Sequence, residues 1–332
     1  MSGGGPPTVG IVVNPAAGKD IRRLVSAASP TSDMAKVGIV RRAVIGAVEG
    51  GAKRVLLTDD RRALAARAID RLELDAELDL LPAPPWDVSR NSTVAAMHMR
   101  DEETGAVIVL GGDGTHRDVV KGWRHAPLVA LSTGTNNVFP RHHEATVAGH
   151  AAAVVASGLA SLDSVSWKAK ILDVEVDTAD GPELDLALVD LALIESSFTG
   201  SRAVWEGNRL KALVALVAEP ASVGLSAIAA RLAPTSRSEP GAVHVTFAPD
   251  GDTHRVAIAP GLYSDVTVTS HQRLDTGASM DLPGPGVLSF DGERDVVLAQ
   301  GRSARLTLAA DGPHVIDVSA AMAATARTHD HG

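Results

Sequence analysis

The stretch Ala106-Val107-Ile108-Val109-Leu110-Gly111-Gly112-Asp113-Gly114-Thr115 decides the fold. Its first half is a continuous aliphatic run, the pattern of a strand buried on both faces in a parallel sheet. Its second half is a glycine-rich loop, and ligands of open α/β sheets bind at the carboxyl ends of strands, where this loop stands. Glycines let a backbone take unusual φ/ψ values and approach a phosphate without Cβ interference. Their N–H groups then form an anion nest at the start of the next helix. Asp113 is the odd member. A carboxylate among such amides repels phosphate unless it binds a metal or takes the proton of an attacking hydroxyl, and phosphoryl transfer needs both roles. The plainer alternative is a glycine turn with Asp as a helix cap.

On either side of this stretch, apolar strand-like runs alternate with helical segments from residue 9 to about 160, which predicts a parallel α/β sheet with helices on both faces. Val9–Val13, Arg54–Thr58, Leu78–Leu81 and Pro127–Leu131 read as strands, and Met34–Glu49, Asp59–Arg71 and Ser89–Glu103 as helices. Two more loops follow strands in this half. Asn14-Pro15-Ala16-Ala17-Gly18-Lys19 comes after the first, and Ser132-Thr133-Gly134-Thr135-Asn136-Asn137 after Pro127–Leu131. Asn14 can fix a turn through its side chain, or simply belong to an Asn-Pro turn, while Gly18 offers an amide. Asn136 and Asn137 can bond a base, ribose or phosphate.

Beyond residue 160 the pattern turns to alternating strands: Lys170–Val176, Leu184–Leu193, Ala242–Phe247, Arg255–Ala259, Asp265–Thr269, Val287–Phe290, Val296–Ala299 and Arg305–Ala309. This predicts a mostly antiparallel β domain, interrupted by helical material over Trp205–Leu232. The expected organisation is an α/β domain over residues 1–160 and a β-rich domain over 161–312, with 313–327 returning to the first.

Composition narrows the function. The 332 residues are 45% hydrophobic and 21% charged, which is globular rather than disordered or fibrous. Lys plus Arg number 31 against 40 Asp plus Glu, for a net charge of −9, and only four Trp, four Phe and one Tyr are present. Nothing here is a nucleic-acid footprint. No run reaches the roughly 18 apolar residues of a membrane span, and the Gly-rich start lacks the pattern of a secretory signal. The absence of cysteine excludes thiolate zinc and thiol catalysis, so a cytoplasmic protein is expected.

The three loops together resemble the superfamily of NAD kinases and diacylglycerol or sphingosine kinases. There a Gly-Gly-Asp-Gly-Thr loop is the signature, preceded by an Asn-Pro-x-(Ser/Ala)-Gly turn and followed by a Gly-Thr-x-Asn-x-(Phe/Leu) loop. Leu131 to Pro140 with Glu144 to Gly149 is most similar to the ATP-NAD kinase-like branch of the acetoin catabolism protein X type. The resemblance implies a nucleotide-binding α/β domain, an acceptor-binding β domain, and Mg²⁺-dependent transfer of the γ-phosphoryl group of ATP to a hydroxyl, foremost the 2′-hydroxyl of NAD. It implies Asp113 as catalytic carboxylate. The nucleotide would be held by Asn14, Pro15, Gly18, Gly111, Gly112, Gly114, Thr115, Thr133, Gly134, Thr135, Asn136 and Asn137. A homo-oligomer is compatible with it.

Acceptor recognition rests on later, looser matches. Val189-Asp190 stands where NAD kinases carry Asn-(Glu/Asp), so Asp190 fits and the Asn does not. Thr199, Gly200, Ser201 and Ala203 fit the Thr-Pro-Thr-Gly-Ser-Thr-Ala-Tyr stretch, whereas Phe198 and Arg202 do not. Asp291-Gly292-Glu293 matches the Asp-Gly-Glu of diacylglycerol kinases and equally suits a hairpin turn. Asp190, Thr199, Gly200, Ser201, Asp291 and Glu293 are therefore the acceptor-binding candidates. A lipid or polyol kinase and a non-catalytic nucleotide-binding accessory protein remain as alternative functions. Other local patterns read as structure. His116-Arg117-Asp118 lacks the downstream Asn of protein kinases. His142, His143, Glu144 and His150 lack zinc spacing, and Asp173, Glu175 and Asp177 suit a solvated strand face.

Overall fold

The computed structural model describes residues 5–15, 32–82, 91–133, 137–195, 209–292 and 294–328. Gly18, Gly134, Thr135, Asn136, Thr199, Gly200, Ser201 and Glu293 lie outside them.

The first half alternates as β1 (Thr8–Val13), α1 (Asp33–Glu49), β2 (Arg54–Thr58), α2 (Leu64–Ile69), β3 (Glu77–Leu81), α3 (Asn91–Asp101), β4 (Ala106–Gly111), α4 (Asp113–Gly122), β5 (Pro127–Ser132) and α5 (Ala145–Ala156). β1 and β4 are buried at every position because helices cover both faces of the sheet. The helix expected over Asp59–Arg71 is shorter at its start. Asp60 accepts the amides of Arg62 and Leu64 at 2.8 and 3.0 Å, so the turn it fixes precedes the helix.

Two distant strands complete this sheet. β6 (Ser166–Lys168) and β17 (His314–Ile316) give the order β3-β2-β1-β4-β5-β17-β6, in which β17 runs parallel to β5 and only β6 is antiparallel. The order reverses between β1 and β4, so the crevice at their carboxyl ends receives the Asn14 loop and the glycine loop side by side.

The remaining chain forms two antiparallel sheets. β7 (Ile171–Thr178), β8 (Gly181–Ala187), β13 (Ser279–Pro283) and β16 (Ser303–Ala309) make one of order β13-β16-β7-β8. β9 (Asp190–Ile194), β10 (Leu210–Ala215), β11 (Ala242–Ala259), β12 (Leu262–Leu274), β14 (Gly286–Phe290) and β15 (Arg294–Leu298) make one of order β12-β11-β10-β9-β14-β15. Their facing residues, among them Leu172, Leu193, Leu288 and Phe290, form a core, and α6 (Leu225–Leu232) covers the outer face of the larger sheet. α7 (Val318–Thr328) follows β17 and packs on α5.

Two expectations need correction. Leu184–Leu193 is two strands in different sheets, β8 and β9, because the chain crosses between layers at Leu188-Val189. Within Trp205–Leu232, residues 210–215 are not helical: β10 is a central strand hydrogen-bonded to β9 and β11, so its Leu and Ala side chains meet apolar layers on both faces.

Helices pack closely in the α/β half. A Cβ on Gly46 of α1 would lie 2.0 Å from the Thr146 carbonyl oxygen, and one on Gly149 of α5 would lie 2.1 Å from the Ala43 carbonyl oxygen. α1 and α5 thus approach backbone to backbone, a distance that only glycine permits.

Candidate active site

The glycine loop is shorter than its sequence implies, because Asp113 already starts α4 and Gly112 is the N-cap. Gly112 has φ −93° and ψ −172°, extended backbone that any residue adopts, and none of Gly111, Gly112 and Gly114 has positive φ. The requirement for glycine at 111 is steric instead. A Cβ there would meet the Thr115 side chain at 2.4 Å. Thr115 is nearly buried, and its hydroxyl accepts Asn14 Nδ2–H at 3.0 Å. The first turn of α4 therefore folds back over the end of β4 and ties it to the Asn14 loop across the switch point.

Asp113 sits at the amino end of α4, where the helix dipole favours a negative charge. It is 6% exposed. Its Oδ1 accepts the amides of Val138 and Phe139 at 3.1 and 2.8 Å, and Oδ2 also receives the Val138 amide at 3.1 Å. Amides bonded to a carboxylate favour its charged form and fix its rotamer. Beside it, Asn137 Nδ2–H bonds Ser132 Oγ at 2.9 Å, and the Thr133 amide reaches the Gly111 carbonyl at 3.5 Å.

Lys36 is a residue the sequence reading missed. It is 1% exposed on α1, and its Nζ donates to the Pro15 carbonyl at 2.9 Å and the Asn14 carbonyl at 3.5 Å. Nothing in its local pattern marks it, since a lone lysine on an amphipathic helix ordinarily faces solvent.

One face of α4 fastens the rest of the chain to this site. Arg117 donates to the Phe290 carbonyl at 3.0 Å with its guanidinium 5.6 Å from the Phe290 ring centre. Lys121 bonds the buried Asp185 at 2.9 Å, and Arg124 bonds Asp173 at 2.7 and 2.9 Å and Asp311 at 2.6 Å. Arg117 and Lys121, four residues apart, share one face of α4, and Arg124 follows just beyond the helix end. His116 lies on the opposite side, fully buried, with its Nδ1 2.8 Å from the Gly112 carbonyl and its ring 5.4 Å from that of Phe139. Burial pushes its pKa down to about 4 against the opposing pull of the Gly112 and Val109 carbonyls, so it is neutral.

The acceptor candidates fall into two groups. Asp190 and Asp291 are adjacent and buried, whereas Thr199, Gly200, Ser201 and Glu293 lie outside the described residues. Asp291, at φ 49°, accepts the amides of Leu188, Val189 and Asp190 through Oδ1 at 3.1, 2.8 and 3.1 Å, while its own amide donates to the Asp190 carbonyl at 2.9 Å. Burial raises its pKa, opposed by Arg117 and these amides. Asp291 thereby holds the crossing from β8 to β9 and with it Asp190, whose Oδ2 accepts Ser226 Oγ–H at 3.3 Å. Asp173 and Asp177 are ion-paired to Arg124 and Arg302, and Glu144 caps α5 through the Thr146 and Val147 amides. Among the described residues no group of three or more His, Asp or Glu is close enough to hold a metal ion by itself.

Comparison with known proteins agrees with this geometry. Residues 9–159 match the ATP-NAD kinase N-terminal domain, and residues 170–311 match the acetoin catabolism protein X C-terminal domain. The chain is 35% identical over 335 residues to acetoin catabolism protein X of Cupriavidus necator, spanning 97% of this chain and 93% of that protein. Among solved structures, yeast NADH kinase complexed with NADH superposes with a TM-score of 0.57 at 13% identity, over 99% of this chain and 89% of the other. That likeness is one of fold.

Proposed function

The chain belongs to the family of acetoin catabolism protein X, and on that premise we propose that it is an ATP-dependent kinase whose acceptor is a hydroxyl of a small molecule, foremost the 2′-hydroxyl of NAD or a related nucleotide. The observation that carries this reading is the Asp113 carboxylate, fixed by two loop amides at the switch-point crevice. In the reaction the acceptor oxygen forms a bond to the γ-phosphorus, the bond from that phosphorus to the bridging oxygen of ADP breaks, and the hydroxyl proton leaves the acceptor. Asp113 is suited to take that proton or to hold the metal. The amino end of α4 would offer its amides to the phosphates, beside the Asn14–Thr115 bond. Mg²⁺ fits this donor set as an ion held mainly by ATP phosphates with one protein carboxylate, where it would neutralise charge on the transferred group.

Asp190 is the acceptor-side residue with most support. It lies at the β8 to β9 crossing and is held there by Asp291, which fits Asp291 as a support rather than a contact. Among the described residues the exposed large apolar side chains Met34, Leu184 and Val297 lie on separate elements, α1, β8 and β15, which gives no support to a lipid acceptor.

The test is purified protein with Mg²⁺-ATP and NAD, scored by mass spectrometry for NADP and ADP. NADP from the wild type and a loss of about a hundredfold or more in Asp113→Asn is the expected outcome. Equal turnover in both proteins would overturn the assignment of Asp113. Nucleotide binding without NADP would direct the search to other hydroxyl acceptors and then to an accessory role.

A further inference from the structure

The two amides that hold Asp113 come from Val138 and Phe139, and the two carbonyls of the same residues are held from the other side. Arg237 Nη2–H donates to the Val138 carbonyl at 3.0 Å and Nη1–H to the Phe139 carbonyl at 2.8 Å. The same guanidinium donates through Nε and Nη2 to Glu219 Oε1 and Oε2, both at 3.0 Å. A planar fork with four of its hydrogens so committed cannot rotate without breaking several bonds together.

Arg237 is itself held rigidly. Ala218 and Thr235 exchange both backbone hydrogen bonds, at 2.9 and 3.0 Å, which brings Glu219 beside Arg237. Lys170 Nζ donates to the Ser236 carbonyl at 3.0 Å and Arg273 Nη2–H to the Pro234 carbonyl at 2.7 Å. Ser236 and Glu239 cap one another, with the Ser236 amide on Glu239 Oε2 at 2.8 Å. Four basic and acidic side chains thus serve to present one guanidinium to a dipeptide 98 and 99 residues away. Arg237 also lines a cavity of about 490 Å³ shared with Phe139, Arg141 and Trp167.

We propose that Arg237, locked by Glu219, is a positioning residue for Asp113: it fixes the Val138-Phe139 peptides so that both amides point at the Asp113 carboxylate. Nothing in the signature loops encodes this, because the contact runs through backbone atoms. The inference rests on the kinase reading for its catalytic consequence, and on geometry alone for its effect on Asp113.

The experiment separates the two. Amide hydrogen exchange at Val138 and Phe139 is followed by NMR in wild type, Arg237→Lys and Arg237→Gln; freeing the peptides raises exchange at both amides by about tenfold or more in Arg237→Gln and by less in Arg237→Lys. For phosphoryl transfer, kcat falls by about tenfold or more with KM for ATP unchanged within about twofold. Unchanged protection of the two amides in a folded Arg237→Gln protein overturns the proposal, even if kcat falls. If Arg237→Gln does not fold, the same exchange measurement in Glu219→Gln decides. A wild type that turns over no hydroxyl acceptor overturns the kinase reading and leaves the amide exchange to judge Arg237.

Discussion

Lowering the pH should loosen this protein through His116, and the size of the effect follows from its burial. His116 is fully buried in α4, and its pKa falls from 6.5 to about 4 in the fold. The unfolded chain therefore binds a proton that the folded chain refuses between those values, and stability rises with pH across that window. The contribution is complete above pH 6.5 and is lost as the pH falls toward 4. With these two pKa values the loss is about 2 kcal/mol at pH 5 and about 3 kcal/mol at pH 4, relative to neutral pH. For a protein of this size even the smaller figure moves the melting temperature by several degrees. The assay is urea unfolding at half-unit intervals from pH 7.5 to pH 4, in wild type and in His116→Gln, whose side chain does not titrate. Other groups titrate equally in both, so the difference between their pH dependences isolates His116. The wild-type curve should fall more steeply by about one proton's slope between pH 6 and 4.5. Parallel curves would refute the argument, because they would mean that His116 is solvated or protonated in the fold.

Packing at three other places gives direct tests. Gly149→Ala should destabilise by about 1–3 kcal/mol despite the better helix propensity of Ala, because its Cβ would lie 2.1 Å from the Ala43 carbonyl. Gly38→Ala, whose nearest atom would be Arg42 Nη1 at 3.6 Å, should stabilise by up to about 1 kcal/mol. Thermal unfolding that ranks the pair the other way would contradict the helix contact. Gly111→Ala drives a Cβ to 2.4 Å from Thr115, so the Asn14–Thr115 bond should break. Hydrogen exchange at the start of α4 should then rise by tenfold or more, about 1.4 kcal/mol of local stability, and unchanged protection would show that the loop absorbs the methyl group. Asp291→Ala strands three buried amides and forces Ala to φ 49°, for a loss of about 3–5 kcal/mol in denaturant unfolding. Asp291→Asn keeps an oxygen and tolerates that φ, so its loss should be clearly smaller.

The α/β half was legible because its signals are local. A run such as Ala106–Leu110 has one stable home, a strand covered on both faces, and the loop after it needs no distant partner to be recognised. The misread segments lack this property. Leu210–Ala215 is made of residues with good helix propensity and becomes a strand because β9 and β11 flank it, a tertiary effect that outweighs a few tenths of a kcal/mol per residue. The break at Leu188-Val189 lies inside an apolar run, and what fixes it is the carboxylate of Asp291, about a hundred residues later. At Gly111 the reason for glycine was not legible, since room for Thr115 is needed there rather than a special φ.

The site follows the same division. That Asn14 and Thr115 belong together could be expected from their two loops, and they are hydrogen-bonded. What sets the orientation of Asp113 was not legible, because its partners are peptide N–H groups that any sequence supplies. The side chains that aim those peptides belong to the other half of the chain. Arg117 and Lys121 tie α4 to Phe290 and Asp185 on one side, and Arg237 ties the Asp113 loop to Glu219 on the other. Residues 170–311 therefore clamp α4 and the loop that holds Asp113 from two directions. A substitution in the β sheets that shifts Glu219 or Phe290 would reach Asp113 through fixed hydrogen bonds, without any change in the signature loops themselves.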